Sequence, residues 1–167
     1  MHTKDAIRYV LTSARGISNA YLSDLSNEDL IFQPHPNANN ISWQLGHLIV
    51  SEVVMINGIR PGYAAPLPAG FFETFNSKRP PSELETGVAP KVLDKESYIE
   101  LRDKQRELTL ALLDSIEESE LNKPGPERML SYAPTVGCIL LAIGTHEIMH
   151  AGQWAVVRRA LNKKVLI

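Results

Sequence analysis

The chain has 167 residues, 44% of them apolar, which fits one domain spanning 1–167 and large enough to bury its own core. Lys and Arg total 17 against 19 Asp and Glu, and a formal charge of −2 excludes the strong field that recruits nucleic acid or anionic lipid. Cys138 is the only cysteine, so no internal disulfide can form, and no apolar run approaches the roughly 18 residues of a membrane span. With no apolar signal core after Met1, the expectation is a soluble, cytoplasmic protein.

Ile7, Val10, Leu11, Ala14, Ile17, Tyr21 and Leu25 recur at three- and four-residue steps, which predicts an amphipathic helix over about 4–24 with Thr3 as its N-cap. Ser26 restarts a short acidic turn that Pro34 and Pro36 end. Asn40 caps a second long helix of about 41–58, with Trp43, His47, Val50 and Val54 on one line. From Arg60 to Pro90 six prolines forbid a long regular element, and only Gly70 to Phe75 suits a helical turn. A connection of this length, about 60–93, is a candidate lid or partner surface and lets the chain cross a bundle, with Phe71, Phe72 and Phe75 as its anchors.

Asp94 caps a third long helix to about Glu117, with Tyr98, Leu101, Leu108, Leu112 and Ile116 inward and the pairs Glu100–Lys104 and Asp103–Glu107 outward. Thr135 caps a fourth, to about Leu161, whose seam is Ile139, Ile143, His146, His150, Trp154 and Val157. Arg158, Arg159, Lys163 and Lys164 then read as a solvated basic end that complements the helix dipole. No segment alternates with period two, so the fold class is all-α, a four-helix bundle with a long crossover between the second and third long helices.

Three histidines interrupt these apolar stripes. His146 and His150, one turn apart, present adjacent imidazoles on one face, and His47 replaces an apolar residue on the second long helix. A neutral core imidazole satisfied by a neighbouring carbonyl or hydroxyl accounts for any one of them. Three together have six ring nitrogens to satisfy where backbone carbonyls are already engaged, and each one left unpaired costs about 1–3 kcal/mol. A shared divalent cation satisfies three at once, with bonds of about 2.0–2.1 Å, and its occupancy is expected to fall as pH drops below about 6.5.

His146-Glu147-Ile148-Met149-His150 also matches the zinc-protease signature, but Ala151 to Ile167 contains no His, Asp, Glu or Cys to serve as a downstream ligand. Gln153 and Val156 stand where a metzincin has its Gly and third His. A zincin protease is therefore excluded, and His47 is the best third donor.

With Trp43, Gly46 and His47 on one helix and His146-Glu147-Ile148-Met149-His150-Ala151-Gly152-Gln153 on another, the chain resembles the DinB-like superfamily, the DinB/YfiT-like metalloenzymes. The resemblance implies a four-helix bundle with a divalent metal, Zn or Ni, held by His47, His146 and His150. It further implies a metal-dependent enzyme acting on small molecules: a transferase or isomerase using a low-molecular-weight thiol, or a hydrolase. The alternative is a non-catalytic metal-stabilised bundle that binds a partner chain. Glu147 has two readings, a base or ligand-orienting group at the edge of the site, or an outward ion-pairing residue. Gln44 and Gln153 are either a second shell around the imidazoles and a bound water or ordinary helix-surface groups. His35 is expected in solvent or capping the pocket, His2 is the poorest ligand, and Cys138 is expected to pack. Relatives commonly pair, and Trp154, Phe71 and Phe72 exceed what one core readily absorbs, so a homodimer is expected.

Overall fold

A computed structural model describes residues 2–36, 38–76 and 93–166. Every regular element among them is helical: α1 (Thr3–Leu22), α2 (Asn27–Ile31), α3 (Ile41–Ile59), α4 (Phe71–Phe75), α5 (Lys95–Ser115) and α6 (Val136–Ala160), with two 3₁₀ turns at Glu118–Asn122 and Glu127–Met129. The caps account for the boundaries. Ser26, Asn40, Asp94 and Thr135 each accept the backbone N–H three residues on, satisfying a donor that the first turn leaves orphaned. At the first helix the expectation was off by one residue. His2 is the N-cap, and its backbone N–H reaches the Asp5 carboxylate at 3.2 Å. The helical turn expected at Gly70–Phe75 forms as α4, while residues 77–92 of the long connection lie outside the described residues.

The long helices pack in a ring: α1 against α6, α6 against α3, α3 against α5, and α5 against α1. Their apolar faces form two clusters. One gathers Trp43, Leu45, Phe71, Phe75, Tyr98 and Trp154, the other Leu11, Met55, Leu112, Leu113, Ile139 and Leu140. On α3 and α5 the first cluster takes the N-terminal residues and the second the C-terminal ones; on α1 and α6 the order is reversed. Thus α3 and α5 run the same way, opposite to α1 and α6.

Between the two clusters each long helix contributes polar groups instead of apolar ones. Buried there are Ser18 of α1, Glu52 of α3, Arg102, Gln105, Arg106 and Thr109 of α5, and Glu147 of α6, with Arg15 nearly so. The expected inward stripe of α5 is therefore only partly right, because Leu101 and Leu108 are half-buried while the Arg102–Thr109 stripe takes the centre. Asp103 does not oppose Glu107 at the surface but accepts from Arg15 at 2.6 Å.

The basic end of α6 also departs from expectation. Arg158 is 1% exposed; it donates to the Tyr21 and Lys164 carbonyls at 2.7 Å and to Asp24, tying the end of α6 to the end of α1. Trp154 (0% exposed) and Phe71 (5%) are absorbed by this chain's own core, so they give no support to a dimer, and only Phe72 remains substantially exposed. No described helix is long and apolar enough to cross a membrane.

Candidate metal centre

His47 on α3 and His146 and His150 on α6 come together. Their ring centroids lie 4.8–5.4 Å apart, the rings meet edge to face, and one potential ligand atom from each lies within 4.8 Å of the others. His2 and His35 lie outside this cluster, both exposed. Cys138 is half-buried and packs against the second apolar cluster, as expected.

Hydrogen bonds decide which nitrogen of the His47 and His150 rings is bare. The indole N–H of Trp154, which can only donate, lies 2.9 Å from Gln44 Oε1, so that atom is the amide oxygen. His150 Nδ1 lies 3.0 Å from the same oxygen and must donate as well, leaving a lone pair on Nε2. The Gln44 amide donates in turn to the Asn39 carbonyl at 2.8 Å, which prevents it from flipping. His47 Nδ1 faces the Phe75 carbonyl at a long 3.4 Å, again leaving Nε2 bare, while its ring stacks on Trp43 at 5.0 Å with an interplanar angle of 6°. Gly46 makes this possible, because a Cβ there would overlap the Phe75 ring.

The Nε2 atoms of His146 and His150 are 3.1 Å apart. Two lone pairs at that distance repel unless a proton or a cation lies between them. Two ligands on bonds of about 2.05 Å are about 3.3 Å apart at a tetrahedral centre and about 2.9 Å at a right angle, so the spacing fits one divalent ion. Burial lowers the pKa of all three imidazoles. For His146 burial and then the charge of His47 bring it to about 4; for His150 burial and then the charges of His146 and His47 do the same, with a hydrogen bond to Gln153 working the other way. Neutral imidazoles are the form that binds metals.

Glu147, between the two α6 histidines in sequence, points elsewhere. It is 2% exposed rather than outward-facing; its Oε1 accepts from Arg15 at 3.0 Å and from Ser18 and Arg102 at 2.5 Å, and its Oε2 accepts from Arg106 at 2.8 Å. Arg106 also makes a forked pair with Glu52 at 2.9 and 3.2 Å. Burial alone would raise the Glu147 carboxyl, but Arg15, Arg102 and Arg106 outweigh it and hold it down at about 2. A cavity of about 10 Å³, room for one water, separates this network from His146.

Sequence reasoning missed Arg15, Glu52, Arg102 and Arg106. A signal was present. Glu52 is a lone acid in an apolar helix, and Arg102, Gln105, Arg106 and Thr109 recur with the period of a buried face.

The model of the DinB superfamily matches residues 11–154, a span that includes all three histidines and most of the chain. The chain belongs to the DinB superfamily. Its fold is also similar to that of a conserved protein from Enterococcus faecalis known by its crystal structure, with a TM-score of 0.71 over 98% of this chain and 99% of that one. At 19% identity that likeness concerns this DinB chain's fold alone. No curated protein matches it.

Proposed function

We propose that this DinB-superfamily protein binds one divalent cation, Zn or Ni, through Nε2 of His47, His146 and His150, and acts as a metal-dependent enzyme on a small molecule. The supporting observation is the pair of hydrogen bonds that leaves Nε2 bare on His47 and His150, with the Nε2 of His150 3.1 Å from that of His146. His146 and His150 already stand at ligand spacing, and rotation of His47 completes the set. The four long helices serve as a four-helix bundle with a crossover between α3 and α5, which lets two antiparallel helices supply one site.

Such a cation lowers the pKa of a water or thiol that enters the site, giving a nucleophile at neutral pH. The chain's own residues do the positioning. Gln44 holds His150 by its Nδ1–H, Gln153 supports the same ring, and the Phe75 carbonyl orients His47. Glu147 acts as the anchor of the buried ion network rather than as a base, because its oxygens are engaged by Ser18 and three arginines. A small electrophile and a low-molecular-weight thiol are the substrates this site suits.

Elemental analysis of protein purified without a histidine tag tests the reading, together with transferase assays over a panel of biological thiols and electrophiles. The expected result is one metal per chain and activity in the wild type, both lost in His146→Ala. Metal without turnover favours the non-catalytic, partner-binding alternative, and metal-free protein that stays metal-free in added Zn or Ni removes both.

A further inference from the structure

Among the described residues, two buried side-chain polar atoms have no hydrogen-bond partner: Asn39 Oδ1 and Trp43 Nε1. Both stand at the metal-site end of α3. The Trp43 ring stacks on His47, and the Asn39 backbone carbonyl receives the Gln44 amide that in turn holds His150. A buried acceptor without a donor is costly, so it marks a place where a water, an ion or a ligand supplies the missing group.

Asn39 lines a cleft of about 340 Å³ between the loop that precedes α3 and the C-terminal turns of α6. Pro34 lies on one side and Val156 and Val157 on the other, while Asn39, Gln44 and Gln153 supply the polar groups, and no ionisable side chain lines it. Gln44 and Gln153 both address His150, so the cleft adjoins the metal centre. Its loop wall is held in shape. Gln33 Nε2 donates to the Pro36 and Ala38 carbonyls at 2.8 and 3.0 Å, the Ala38 N–H to the His35 carbonyl at 2.9 Å, and Gln44 to the Asn39 carbonyl at 2.8 Å. None of these bonds uses the Asn39 side chain, so the loop's own architecture does not account for that amide.

We propose that this cleft binds a neutral amide, whose N–H donates to Asn39 Oδ1 and whose apolar remainder lies against Pro34, Val156 and Val157, and that it holds the amide-bearing arm of a substrate reaching toward the histidines. The chemistry of the lining selects that class. Asn39 Oδ1 requires a donor, and an ammonium or guanidinium donor would lose water there without meeting a counter-charge. Gln153 turns its oxygen to His150, which leaves its NH₂ as a donor in need of an acceptor. An amide offers an N–H and a carbonyl on opposite edges, one for each side chain, whereas a hydroxyl gathers both roles on a single atom. Because the loop is already braced, binding orders little of the chain. Calling the ligand a substrate rests on the metal reading; occupation of the cleft does not.

Titration of the ¹⁵N-labelled full chain with N-propylacetamide and with propyl acetate, to about 50 mM and read from the side-chain amide resonances, tests it in metal-free and in Zn-loaded protein. The two probes differ by a single N–H. The amide should bind about tenfold more tightly than the ester, with shifts at Asn39 and Gln153. In Asn39→Ala, which keeps the backbone carbonyl that holds Gln44, that preference should vanish without a fall in melting temperature. Should this variant melt lower, Asn39→Asp carries the test: it keeps an acceptor and adds a charge, so its choice should move from the amide to propylammonium. Equal affinity for amide and ester, no shift at either residue, or an amide preference that survives in Asn39→Ala overturns the inference, as does an Asn39→Asp that gains nothing for propylammonium. Since the comparison is made without metal as well, such a result leaves the cation reading standing, and failure of the cation reading leaves the amide preference in place.

Discussion

Glu147→Gln is the most informative single change, because it separates a structural from a catalytic carboxylate. The side chain accepts from Ser18, Arg15, Arg102 and Arg106, and the last two are 2% and 5% exposed. Glutamine keeps the shape but removes the charge, and it turns one oxygen into an NH₂ that faces a guanidinium. Three buried or half-buried cations are then left with Glu52 and the partly exposed Asp103. Removing one partner of a buried ion pair costs about 3–5 kcal/mol, since the opposite charge stays desolvated. For a domain of this size each kcal/mol shifts Tm by about 2–4 °C, so the melting temperature should fall by about 6–20 °C. Asp103→Asn serves as the control. Its side chain is 47% exposed, solvent screens the pair, and a loss under about 1 kcal/mol is expected. Thermal melts and urea titrations followed by far-UV circular dichroism measure both. A Glu147→Gln variant as stable as the wild type yet without turnover would refute the anchoring role and restore Glu147 as a catalytic group.

Gln44→Leu removes the oxygen that both His150 Nδ1 and Trp154 Nε1 address, and should weaken Zn affinity about 10–100-fold in a chelator competition while shifting the Trp154 indole proton resonance. Gly46→Ala drives the Phe75 ring off α3 and takes with it the carbonyl that faces His47; weaker Zn binding and a lower Tm than the wild type are expected, and an unchanged Tm would mean that α4 does not depend on that close approach. The third expectation concerns pH in metal-free protein. The folded pKa values of His146 and His150 lie near 4, below the unfolded value of about 6.5, so the unfolded chain binds more protons in between. Stability is therefore complete above about pH 6.5 and declines toward pH 4. Metal occupancy should likewise persist below 6.5, lower than imidazoles in water would allow. Histidine C2 proton shifts followed from pH 8 to 4 check both; midpoints near 6.5 for His146 and His150 would contradict the burial seen here.

Much of this protein was legible along the chain because the signals are local. Periodicity and caps at Asn40, Asp94 and Thr135 mark three of the long helices, since a cap satisfies its own first turn whatever packs outside it. The four-residue step from His146 to His150 places two imidazoles on one face by helix geometry alone, and the apolar stripe around His47 marks it as their partner. Where Glu147 points was not local information. One residue along α6 from His146 it could face the metal site or solvent, and it faces neither, because the rotation of α6 against α1 and α5 carries it among Arg15, Arg102 and Arg106. The same holds for Arg158, which resembles a solvated helix end until the end of α1 supplies the Tyr21 carbonyl and Asp24. Helix propensity and spacing are properties of the chain, but a buried charge is tolerated only where another segment delivers its counter-charge. Which charges lie inside was therefore decided by the tertiary packing.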